Sequence, residues 1–143
     1  MATCVLVHGS FQGGWIWQPV ANRLRGAGHQ VYAPSLDGCG ERKGQMRPGI
    51  TTETQADEVA QLMFYEDLKD VVLVGTSYGG MVACRAAELM RERVGRLVFV
   101  DALTLFDGGK TMRGSAIKPW NCRPSAPAVC MHSRSCPDLA DSL

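Results

Sequence analysis

Four consecutive apolar residues, Val71-Val72-Leu73-Val74, run straight into Gly75-Thr76-Ser77-Tyr78-Gly79 and then Gly80-Met81-Val82-Ala83. The run reads as a buried strand, the G-x-S-x-G stretch as a tight turn, and the last block as the start of an apolar helix. In that context Ser77 sits on a strained strand-to-helix elbow that presents its hydroxyl. Gly75 and Gly79 let strand and helix approach closely around it. The alternative is a glycine-rich turn with an idle serine. A serine hydroxyl is a poor nucleophile unless a histidine takes its proton and an acid orients that histidine, and the usual chain order is Ser, then Asp or Glu, then His.

The rest of the chain alternates strand and helix. Residues 3–7 (Thr-Cys-Val-Leu-Val) read as a short buried strand, and His8 to Gly14 as a glycine-rich turn. Pro19 suits the first turn of a helix carrying Val20, Leu24 and Ala27 on one face, ended by Gly26 and Gly28. Val31-Tyr32-Ala33 is a second strand, followed by a loop over 34–51. Thr52-x-x-Gln55 matches a capping box and opens a helix with Ala56, Val59, Ala60 and Met63 on one stripe. After the elbow a helix runs from about Ser77 to Arg91. Leu97-Val98-Phe99-Val100 is the fourth strand, ending at Asp101. Alternation without a hairpin signal predicts a parallel sheet with right-handed crossovers, covered on both faces.

The character changes near Lys110. Residues 110–143 hold four of the seven prolines, three of the six cysteines and five serines, and no helical or strand period survives there. Such a segment buries too little apolar surface to offset its ordering entropy. The expected organisation is therefore a core over 1–109 and a disordered tail over 110–143. Cys4 and Cys84 read as small core residues and Cys39 as a loop residue. Cys122, Cys130 and Cys136 fit no standard zinc spacing, and His132 among them gives no metal site. The formal net charge of +1 offers no argument for nucleic acid or acidic lipid. No apolar run is long enough for a membrane helix, and the N-terminus lacks a signal-peptide pattern, so a cytoplasmic location is expected.

His8-Gly9-Ser10 follows the first strand. In hydrolases of this elbow type, the loop after such a strand gives one backbone N–H to the oxyanion hole, and the residue after the nucleophile gives the other. Ser10 and Tyr78 take those places. His8 is read as a loop anchor rather than a base, and His29 as an exposed cap residue. Phe11, Trp15 and Trp17 either line an apolar acyl site or pack in the core.

The block Val5-Leu6-Val7-His8-Gly9-Ser10-Phe11-Gln12-Gly13-Gly14-Trp15-Ile16-Trp17 resembles the opening of the α/β-hydrolase superfamily. More narrowly it resembles the small esterases related to plant methylesterases and hydroxynitrile lyases, and their bacterial homologues. Tyr32 to Arg42, Val72 to Met81 and Arg96 to Ala102 resemble further blocks of that group, which more often has His where Thr76 stands. The resemblance covers about residues 3–109. It implies the N-terminal half of a hydrolase sheet with flanking helices, ester hydrolysis through an acyl-serine, and neither cofactor nor metal. The family continues with a lid, further strands, a catalytic Asp and a catalytic His, none of which is recognisable here, so the chain reads as truncated or frameshifted.

Ser77, Asp101 and His132 do stand in catalytic order. Asp101 is the candidate acid, although a polar strand-end residue is the plainer reading. His132 is the candidate base, although its surroundings match nothing in the family. The expected function is that of an esterase-type serine hydrolase for small carboxylic esters, inactive or weak as this chain stands. The alternatives are a non-catalytic remnant or half-domain, and a hydroxynitrile lyase-like enzyme. Leu97 to Val100 is expected near an open sheet edge, through which the chain would self-associate.

Overall fold

The computed structural model describes residues 1–105, 111–112 and 129–131. Its centre is a parallel sheet. Strand β1 (Thr3–Val7) lies between β2 (Gln30–Tyr32) and β3 (Val71–Ser77), and β4 (Val94–Ala102) pairs with β3 on the far side. β5 (Thr104–Leu105) and β6 (Thr111–Met112) form a small antiparallel pair, and β7 (Val129–Met131) adds to β4 in parallel, giving the order β2-β1-β3-β4-β7.

Among the described residues, three α-helices flank the sheet: α1 (Gln18–Gly26), α2 (Thr52–Tyr65) and α3 (Gly79–Leu89). α3 packs on β3 and β4, and α2 packs on α3. The alternation of the strands sorts their side chains between the two faces. Val5, Val7, Val71, Leu73, Leu97 and Phe99 point to the α2/α3 side, where they are buried with Val59, Met63, Val82 and Ala86. Cys4, Leu6 and Val31 point the other way and pack with Trp17 and Ala21.

That second face is covered unevenly. α1 lies over β2. Val72 and Val74 of β3 and Val100 of β4 are half-buried at the margin of that cluster, and Val98 of β4 is half-buried too.

Two features differ from the expectations. Leu97 to Val100 is not at the edge: Val98, Phe99 and Val100 pair with Val129, Cys130 and Met131, so β7 takes that place. The 34–51 stretch contains a 3-10 helix over Gly40–Gln45, and a further 3-10 turn over Gly14–Trp17 precedes α1. The expected disordered tail falls, apart from β6 and β7, outside the described residues.

Candidate active site

Ser77 is the last residue of β3, and its φ of +49° lies in the left-handed region that side chains other than glycine rarely adopt. Tyr78 follows at φ −55°, and α3 begins at Gly79. The chain therefore turns from strand to helix within one residue and leaves Ser77 exposed at the C-terminal end of the sheet. Backbone crowding explains the glycines around it. A Cβ on Gly79 would collide with the carbonyls of Val7 and His8, and one on Gly75 would lie 2.6 Å from the Gly79 carbonyl oxygen. Across the turn, a Cβ on Gly9 would lie 3.0 Å from Ser77 Cβ, so the loop after β1 sits directly against the serine.

Ser10 follows Gly9 and is exposed. The Gly9 N–H donates to Gln12 Oε1 at 3.0 Å. Among the described residues, the N–H groups of Ser10 and Tyr78 donate to no partner. Backbone N–H groups are seldom left unpaired in folded proteins, and two beside an exposed serine suit a developing negative charge. Phe11, at φ +60° and 99% exposed, projects from the same loop. Trp15 is 62% exposed, whereas Trp17 is 7% exposed and belongs to the packed cluster on β1.

His8 is fully buried and both ring nitrogens are engaged. Nδ1 is 2.8 Å from the Gly9 carbonyl, and Nε2 lies 2.9 Å from the Leu36 amide. An amide N–H can only donate, so Nε2 accepts and Nδ1 carries the proton. Burial pushes the His8 pKa below its ordinary value, against the opposing pull of the Gly9 carbonyl and the Glu41 charge. It is a neutral clasp between the loops after β1 and β2. His29 is half-buried rather than exposed. Its Nδ1 accepts from the Ala2 N–H at 3.1 Å, at the opposite end of β1 from Ser77.

The loop after β2 is strongly tied. Ser35 Oγ accepts from the Gly14 N–H at 2.8 Å and donates to Glu41 Oε2 at 2.8 Å, a bond that holds the Glu41 carboxyl below its usual range. Asp37 pairs with Arg47 at 2.6 Å, and that bond, with Arg42 at 3.7 Å, keeps its pKa low despite burial. Arg42 also bonds Glu58 on α2 at 2.8 Å. From α2, Gln55 bonds this loop and the Tyr78 hydroxyl at once. The capping box is offset by one residue from the expected Thr52/Gln55 pair: Thr51 and Thr54 make it.

Asp101 lies beside the elbow. The ladder pairs Thr76 with Val100 but Ser77 with Ala102, so Asp101 is the extra residue of a bulge, at φ +43° and exposed. Bulges re-aim strand ends. Among the described residues, its carboxylate makes no hydrogen bond or ion pair with the serine or with a histidine. His132 lies outside the described residues, as do the side chains of Cys122, Cys130 and Cys136. Among the described residues, no three His, Cys, Asp or Glu side chains converge as metal ligands, and no helix is long and apolar enough to cross a membrane.

The chain matches the model of the alpha/beta hydrolase family over residues 4–140. It is 40% identical over 112 residues to a carbendazim hydrolyzing esterase of Nocardioides sp. (strain SG-4G), a match covering 78% of this chain and 46% of that protein. With polyneuridine aldehyde esterase of Rauvolfia serpentina it shares 35% over 101 residues, covering 69% and 38%. With alpha-hydroxynitrile lyase of Arabidopsis thaliana it shares 36% over 104 residues, covering 68% and 38%. Among solved structures it is similar to an extracellular alpha/beta-hydrolase from a Paenibacillus species, with a TM-score of 0.69 and 35% identity, over 76% of this chain and 43% of that one. The chain spans less than half the length of these relatives.

Proposed function

We propose, because this chain belongs to the alpha/beta hydrolase family and carries a serine on a strand-to-helix elbow, that it is the nucleophile-bearing half of a serine esterase site for small carboxylic esters, slow in turnover as it stands. Ser77 Oγ attacks the ester carbonyl while its proton passes to a base. The N–H groups of Ser10 and Tyr78 hold the resulting oxyanion. The C–O bond to the alcohol then breaks, the alcohol takes the proton, and water releases the acid from the acyl-serine.

The observation that carries this reading is the left-handed Ser77, exposed against Gly9 and flanked by two N–H groups without described partners. The base is the weak element. His8 is locked as a neutral clasp and His29 lies at the wrong end of β1. His132 is the remaining candidate base and Asp101 the candidate acid. The names of the relatives support an ester as substrate, and nothing about Ser77 and its neighbours favours a cyanohydrin over one. A second reading, a non-catalytic half-domain, draws on the half-buried valines of β3 and β4, through which the chain would self-associate. The reading takes the chain as cytoplasmic.

Incubation with a fluorophosphonate probe followed by peptide mass mapping tests the proposal. Slow modification confined to Ser77, and abolished in Ser77→Ala, is the expected result. Modification spread over several serines, or none at Ser77 in folded protein, overturns it.

A further inference from the structure

Two loops flank Ser77: the one after β1, which carries Ser10, and the elbow, which carries Tyr78. They leave the neighbouring strands β1 and β3, whose ladder reaches Val7 and Gly75 and stops short of both N–H groups. His8 Nε2 and Ser35 Oγ bind the β1 loop to the β2 loop, through the Leu36 and Gly14 amides. Gln55 on α2 adds a side-chain link between the β2 loop and the elbow. Its side chain is 4% exposed, and Nε2 donates to the Asp37 carbonyl at 2.7 Å. Its Oε1 lies 2.9 Å from the Tyr78 hydroxyl, which is also 3.0 Å from Thr52 Oγ1.

Proton counting fixes the direction of these bonds. The Asp37 carbonyl only accepts, so the amide nitrogen must face it and the amide oxygen must face Tyr78. Tyr78 has one proton, which goes to Gln55 Oε1, and Thr52 donates to the tyrosine oxygen. Gln55 Nε2 also faces Cys39 Sγ at 3.6 Å, so every side-chain polar atom of this partly buried junction has a partner, the condition under which such a network rigidifies its surroundings.

We infer that Gln55 is a positioning residue of the site: by joining the Asp37 carbonyl to the Tyr78 hydroxyl, it holds the elbow and the loop behind Ser10 in one register, and so aims both oxyanion N–H groups. The inference rests on the esterase reading of Ser77. Gln55 touches no reacting atom; it acts through Tyr78.

The test compares Gln55→Met, Tyr78→Phe and the double variant, with Thr54→Ala as a control that weakens the α2 cap without touching the junction. Loss of an oxyanion donor costs about 10²–10³ in rate, and one misaimed rather than removed loses less, about tenfold. Fluorophosphonate labelling of Ser77 should fall about tenfold in each single variant, with no further fall in the double variant. Thr54→Ala should label at the wild-type rate. Independent, multiplying losses overturn the inference, as does an equal loss in Thr54→Ala, which would make Gln55 merely structural.

The second readout is the Ser77 ¹³Cα and Ser10 amide resonances, which should move in Gln55→Met and Tyr78→Phe but not in Thr54→Ala. If wild-type protein shows no labelling, the esterase reading fails, and these resonances alone decide the positioning: unmoved resonances overturn it. If Gln55→Met does not fold, Tyr78→Phe decides by the same two readouts.

Discussion

At the scale of single residues, the site is made by what is missing from side chains. Gly79 lies under the carbonyls of Val7, the last residue of the central strand β1, and of the hydrogen-bonded His8, neither of which can retreat. Gly79→Ala should therefore destabilise the fold by about 3 kcal/mol, the upper range for overpacking, as read from urea midpoints. A change under about 1 kcal/mol would mean that the elbow is looser than described. His8 makes a pH prediction. Its folded pKa lies below its ordinary 6.5, so between the two values the unfolded chain binds more protons. Its contribution is complete above about pH 6.5 and is lost as pH falls through that window. The low-held carboxyls of Asp37, Glu41 and Asp67 act lower, near about pH 4. Urea midpoints measured from about pH 7.5 to pH 5 should fall more steeply for the wild type than for His8→Asn. Parallel slopes would show that His8 charges freely in the fold. The strand-to-helix turn at Ser77 and the anchoring of the loop after β1 by His8 were legible in the sequence. It left Trp17 open between substrate and core, because an aromatic residue after a glycine loop suits both; packing against Cys4, Leu6 and Val31 decides for the core.

At the scale of elements, the instructive difference is one residue long. Thr51-Thr52-Glu53-Thr54-Gln55 offers two overlapping capping patterns, and local pattern alone prefers the one ending in Gln. The fold uses Thr51 and Thr54 because Gln55 is needed inside. Only tertiary contact with Tyr78 and Asp37 reveals that need. Thr51→Ala should cost about 1 kcal/mol, the usual value for a lost N-cap. No loss in Thr51→Ala would favour the expected box instead. The β4 bulge was equally illegible, since nothing in Val100-Asp101-Ala102 announces an extra residue. Asp101 at φ +43° tolerates glycine and resists β-branching. Asp101→Gly should be neutral or stabilising by about 0.5 kcal/mol, and Asp101→Val destabilising by about 1–3 kcal/mol. The reverse order, measured by thermal melts, would remove the bulge from the account.

At the scale of the whole molecule, β1, β3 and β4 were legible because buried parallel strands are apolar along their length. The pairing of β4 with β7 was not, because Val129-Cys130-Met131 sits in a stretch without period. The half-buried valines of β3 and β4 belong to this scale too. An apolar sheet face of this kind favours association, so sedimentation velocity should show concentration-dependent oligomers, reduced in a Val98→Lys, Val74→Lys double variant. A monodisperse wild-type monomer would contradict that expectation.

The central proposal is that Ser77 is a nucleophile for which no base is assembled among the described residues. Hydrolysis of p-nitrophenyl acetate by wild type, Ser77→Ala and His132→Ala, run side by side, tests it most directly. Turnover close to the Ser77→Ala background, unchanged by His132→Ala, is the predicted result. Robust hydrolysis abolished by both substitutions would contradict it and assign His132 as the working base.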